Sequence, residues 1–115
     1  MGRRDLLGEG VKFFNAGSYF EAHEVWEDLW RETAGPVRRF YQGLIQAAVA
    51  MHHLERGNLA GARSQLSKSL ANLAGSEKQP ARIRAERLIE ELTAVQNDMH
   101  PRRIQIEIRE EKRGE

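Results

Sequence analysis

Glycine interrupts this chain at helix-length intervals, and that spacing constrains the fold more than any other feature. Gly17, the Gly35-Pro36 pair, Gly57 and Gly75 cut the chain into segments in which apolar residues recur every three or four positions. Glycine adopts the left-handed backbone that ends helices, and proline starts a new helix without losing a needed N–H. The pattern predicts an all-α fold: about five helices in a bundle of antiparallel helical hairpins. Residues 1–100 read as one helical domain and 101–115 as a charged, extended tail.

Asp5 is placed to cap a first helix running to about Asn15, with Leu7, Val11 and Phe14 on one stripe and Leu6, Gly10 and Phe13 beside it. Ser18 and Glu21 form a capping-box pattern at the head of a second helix that reaches about Glu32. Tyr19, His23, Trp26, Glu27 and Trp30 share a broad face of that helix. The third helix, Pro36 to Arg56, is apolar nearly all round through Phe40, Leu44, Ala47, Ala48 and Met51, which suits the centre of a bundle. Asn58 caps a fourth helix to about Ala74, ended by Gly75, with Leu59, Ala62, Leu66, Leu70 and Leu73 at helical spacing. Pro80 opens a fifth, to about Asp98. Ile104, Ile106 and Ile108 then alternate with polar residues, which is strand periodicity without a recognisable partner strand. An extended arm or a flexible tail is expected there, or else pairing with the same strand of a second chain.

The turn regions repeat. Asn15–Ala22 and Glu55–Ala62 share a Gly, a cap residue, an apolar residue and an Ala at an offset of 40. The pattern resembles the turns of tetratricopeptide repeats, which predicts helical hairpins packed closely at each Ala.

Polar residues concentrate where the second and third helices should meet. His23 and Glu27 lie one turn apart, with Glu24 at the rim. Gln42, Gln46 and His53 form a polar strip on the third helix. A His23–Glu27–Gln42–Gln46 network would satisfy its own buried members and fix the register of the hairpin. If it opens to solvent, with Trp30 and Trp26 as walls, it becomes a pocket. The candidate ligand-binding residues are therefore His23, Glu24, Glu27, Trp30, Gln42, Gln46 and His53. A metal reading rests on His23 and Glu27, with Glu24 as general base of a hydrolase. The set lacks the His-Glu-x-x-His order of zinc peptidases, and the Glu-x-x-His order of di-iron bundles is reversed. No metal is assigned on that basis, and no cofactor is predicted.

Other chemistries have less to stand on. Ser64, Ser67 and Ser69 read as exposed, and no glycine-rich elbow or P-loop surrounds a serine or lysine. Cysteine is absent, which removes disulfides and thiolate ligands. Eighteen basic against seventeen acidic side chains give no electrostatic footprint for nucleic acid or a membrane surface. Arg38, Arg39, Arg56 and Arg63 could form a basic patch near one helical end, but four arginines in a neutral protein read rather as a solvated face. Without a long apolar run or a hydrophobic leader after Met1, the expected location is cytoplasmic. The expected partners are a small polar ligand or a protein, and the expected state is a homodimer.

The run Phe14 to Trp30, then Gly35-Pro36, Phe40 to His53 and Gly57-Asn58, resembles domain of unknown function 309, a family of small all-helical bacterial and archaeal proteins. The resemblance spans roughly residues 10 to 75 and rests on His-Glu-x-x-Glu-x-x-Trp followed by Gln-Gly-x-Ile-Gln. It implies a helical bundle and marks His23, Glu24, Glu27, Trp30, Gln42, Gly43 and Gln46 as motif positions. It implies no reaction. A non-catalytic binding module, a metal-assisted hydrolase and a peptide-binding helical scaffold all remain open.

Overall fold

A computed structural model describes residues 3–109. Five helices follow in order: α1 Leu6–Asn15, α2 Tyr19–Arg31, α3 Val37–Glu55, α4 Leu59–Gly75 and α5 Ala85–Asp98. An extended arm follows through 109. Met1, Gly2 and residues 110–115, which hold the end of the expected charged tail, lie outside the described residues.

The two repeated turns are built alike. Gly17 and Gly57 take φ of 84° and 79°. In each turn the residue after the glycine donates its N–H back to the last turn of the helix, Ser18 to the Phe13 carbonyl at 2.8 Å and Asn58 to the His53 carbonyl at 2.9 Å. Ala22 and Ala62, one turn further on, are fully buried and let the paired helices approach. The caps differ from one another. Asp5 and Asn58 accept from the N–H groups of Gly8 and Gly61, but Ser18 makes no side-chain capping bond. The predicted capping box does not form: the Ser18 hydroxyl accepts no capping bond, and the Ser18 N–H that Glu21 was to reach is donated to the Phe13 carbonyl instead.

Helix α3 occupies the centre, against α2 on one flank and α4 on the other. Phe40, Leu44, Ala47, Ala48 and Met51 are buried, as their spacing predicts. The α3–α4 crossing is close because residue 43 has no side chain: a Cβ there would lie 2.8 Å from the Leu73 side chain. At the same crossing Ser69 is fully buried and its hydroxyl donates to the Gly43 carbonyl at 2.7 Å. Ser69 is therefore a core contact and not a surface residue, unlike Ser64 and Ser67. Leu59, by contrast, is half exposed.

The fifth helix begins five residues later than Pro80 suggests. Residues 82–84 are held by the arm instead: Ile83 and Ile108 form an antiparallel bridge. Arg84 N–H donates to the Glu107 carbonyl, and Arg109 N–H donates to the Arg82 carbonyl. The alternating isoleucines thus find their partner within the chain. Ile104 and Ile106 are buried in the same core as the helices. Asn15 holds the arm from the other side: its amide donates to the Ile106 carbonyl at 3.0 Å, and its carbonyl oxygen accepts from the Ile106 N–H at 2.7 Å.

Candidate functional site

The outer seam between α2 and α3 is covered by no other described helix. His23 and Glu27 stand on adjacent turns of α2, and His23 Nε2 lies 3.2 Å from a Glu27 carboxylate oxygen. The other Glu27 oxygen is 3.4 Å from Arg31. This pair divides the seam into two shallow clefts. On one side Tyr19, Phe20, His23, Val49 and His52 line an almost wholly apolar dimple of about 170 Å³. On the other, Glu27, Trp30, Arg31, Gln42 and Ile45 line a polar cleft of about 260 Å³.

Four of the seven sequence-predicted residues meet there: His23, Glu27, Trp30 and Gln42. Three do not. Glu24 is exposed and lines neither cleft. Gln46 turns towards α4, where its carbonyl oxygen accepts from the Asn72 amide at 2.8 Å. Asn72 in turn accepts from Arg39, whose guanidinium also reaches the Ala71 and Gly75 carbonyls at the end of α4. His53 is held by the Asn58 amide, which donates to its Nδ1 at 3.2 Å and so leaves the ring hydrogen on Nε2. The four-membered His23–Glu27–Gln42–Gln46 network does not form, because a glutamine on a central helix can serve either neighbour and Gln46 serves α4.

The tryptophans also separate. Trp26 is fully buried against α1 and donates its indole N–H to the Leu7 carbonyl at 3.3 Å. Trp30 walls the polar cleft, and the Arg38 guanidinium sits 3.6 Å from its ring centroid, an arrangement worth about 0.5–1 kcal/mol at an exposed site. With Arg38 on Trp30 and Arg39 on α4, and with Arg56 roughly 25 Å further along α3 by its rise per residue, the four arginines do not gather into one patch.

Sequence reasoning did not name Tyr19, Phe20, Arg31, Ile45, Val49 or His52 among the site residues. Phe20 is half exposed, with its ring 5.4 Å from His23 and 5.9 Å from His52. A phenylalanine outside the α2 stripe was the available signal. A larger depression of about 470 Å³ near Arg3 and Asp28 is lined mostly by charges that pair with one another, Arg3 with Glu32 and Arg31 with Asp28.

The donor set bears on metal chemistry. Among the described residues no three His, Asp or Glu side chains converge. His23 and Glu27 alone would leave a catalytic zinc short of its usual three protein ligands. Among the same residues no helix is long and apolar enough to cross a membrane.

A family model described as "Domain of unknown function (DUF309)" matches residues 7–65, which contain every residue of the seam. The chain is similar to the uncharacterized protein YpuF of Bacillus subtilis (strain 168), 41% identical over 61 residues that make up 52% of this chain and 35% of that protein. It is also similar to an uncharacterized protein of Aquifex aeolicus (strain VF5), 31% identical over 71 residues, 61% of this chain and 21% of that one. The match thus spans about a third and a fifth of these relatives' lengths. Helix α5 and the arm lie beyond the family match.

Proposed function

The chain belongs to the DUF309 family, and we propose that it is a non-catalytic interaction module whose α2–α3 seam docks a short segment of a partner protein. The observation that carries this reading is Phe20, half exposed at the lip of an apolar dimple that no described residue fills. Burying an aromatic or aliphatic side chain there gains part of the ~1.5–3 kcal/mol available to a fully buried one. Charge selects among such segments. Glu27 lines the seam and Glu24 stands exposed on the next residue after His23, against Arg31 on the same helix, so an apolar residue flanked by lysine or arginine complements it. The polar cleft beyond His23–Glu27 offers Gln42 and Glu27 to a backbone amide or a basic side chain. A domain that makes up a minor part of longer relatives fits a docking role better than a self-contained enzyme.

Fluorescence anisotropy with labelled decapeptides tests this. Peptides with one leucine or phenylalanine among lysines and arginines should bind. Phe20→Glu and Glu27→Lys should each weaken binding by about tenfold or more with unchanged helical circular dichroism. Equal binding of glutamate-flanked peptides, or none by either set, would sink the proposal. So would a dimer, seen by light scattering, that Phe20→Glu dissociates, because the seam would then belong to a second copy.

A further inference from the structure

Tyr19 carries a second and separate opportunity. Its ring is buried between the first turn of α2 and the end of α3, packed edge-on against Phe14 at 5.1 Å. Its hydroxyl has no hydrogen-bond partner among the described residues, yet no buried polar side-chain atom is left unsatisfied. The hydroxyl must therefore reach solvent. The seam dimple that Tyr19 also borders is apolar, so the hydroxyl opens on its other side. There a cleft of about 230 Å³ is lined by Tyr19, Met51, Glu55, Pro101, Arg102 and Arg103.

The charges in this cleft are uneven in their commitments. Arg102 is paired with Asp98. Glu55 makes no ion pair or hydrogen bond among the described residues, and Arg103 reaches only the Asn15 carbonyl, at 3.5 Å. Glu55 and Arg103 do not pair with each other. Burial first, and then the Glu55 charge, push the Tyr19 hydroxyl above its ordinary pKa, so it stays protonated and is a donor. One cleft thus holds an available carboxylate, an available guanidinium, a hydroxyl donor, and apolar surface from Met51 and Pro101.

We propose that this cleft binds a small zwitterion of the size and charge pattern of a free amino acid, its ammonium on Glu55 and its carboxylate on Arg103 and the Tyr19 hydroxyl. A simple anion would be repelled by Glu55 and a simple cation by Arg103. The volume equals roughly seven or eight liquid waters at ~30 Å³ each, room for a ligand of that size. The cleft is also composite. Tyr19, Met51 and Glu55 lie within the family-matched region and Pro101 to Arg103 lie on the arm outside it. Occupancy therefore fastens the arm to the family core, and this site does not depend on the seam reading.

The test titrates the full chain with each of the twenty amino acids by calorimetry and amide NMR. For any that binds, the N-acetyl and carboxamide derivatives follow. The expected result is binding by at least one amino acid at or below about 1 mM. Each derivative that lacks one charge should bind about tenfold more weakly. Tyr19→Phe removes a hydroxyl that bonds nothing in the protein, so it should leave the melting temperature unchanged while weakening binding about tenfold. Glu55→Gln should abolish the preference for the free amino acid over its N-acetyl form. Bound ligand should slow amide exchange at Ile104 and Ile106. No binding by any amino acid at about 10 mM overturns the proposal. Equal affinity for the N-acetyl form, or affinity unchanged in both variants, overturns it as well.

Discussion

Gly10 is the surface on which Trp26 rests: a Cβ at position 10 would lie 2.0 Å from the indole Nε1 and 2.4 Å from Cδ1. The indole cannot retreat, since it is fully buried and its N–H is bonded to the Leu7 carbonyl on the same helix. In an exposed helix, Gly→Ala is stabilising by up to ~1 kcal/mol through propensity. Here the clash should win, because overpacking a closed core costs about 1–3 kcal/mol and occasionally more. Gly10→Ala should therefore lower the urea midpoint and red-shift the tryptophan emission. A neutral or stabilising result would mean that α1 and α2 are not this close.

Asn15 tests how firmly the arm is attached. Its carboxamide stands in for a peptide group, bonding both the N–H and the carbonyl of Ile106. Asn15→Ala removes both bonds, each worth about 0.5–1.5 kcal/mol net. We expect faster amide exchange at Ile104, Ile106 and Ile108, with protection in the centre of α3 nearly unchanged. Equal acceleration in α3 would mean that the arm and the bundle unfold as one unit.

Asp5 sets an acid-sensitive contact between α1 and the segment before α5. Arg82 grips both carboxylate oxygens, at 2.9 and 2.8 Å. These bonds, opposed by partial burial and aided by the Gly8 N–H, hold the Asp5 carboxyl below its ordinary range. A carboxyl whose folded pKa lies below its unfolded one contributes stability above the unfolded value, near 4. That contribution is lost as pH falls through the lower folded value. Asp5→Asn keeps a good N-cap but loses the charge, so it should destabilise the protein at pH 7. The difference should shrink below about pH 3. The effect should be modest, because the side chain is half exposed. Urea midpoints at the two pH values decide it; a pH-independent difference would show that the cap, not the Arg82 pair, was lost.

Much of the fold is local chemistry and was legible as such. Gly17 and Gly57 end helices because a left-handed residue is needed there, wherever the helices later pack. Asp5 and Asn58 cap because their side chains reach N–H groups three residues ahead. The apolar girth of α3 places it in the centre before any contact is known. Errors began where one residue had two possible partners. Gln46 had α2 on one side and α4 on the other. Ser69 looked like surface until Gly43 gave its hydroxyl a carbonyl to meet. Pro80 was able to start a helix, but the backbone at 82–84 had an isoleucine strand to pair with.

The sequence by itself therefore determined five helices and their turns, which follow from bonds within a few residues, and the central helix, which follows from its apolar girth. Tertiary structure alone decided that Trp26 faces α1, that Gln46 leaves the seam, and that His23 and Glu27 separate an apolar dimple from a polar cleft. It also brought Tyr19 and Glu55 beneath Arg103, residues up to 84 positions apart in the chain. Periodicity shows which residues share a helix face. Which neighbour that face meets depends on side-chain volumes and hydrogen-bond partners contributed by distant segments, and no local pattern encodes them.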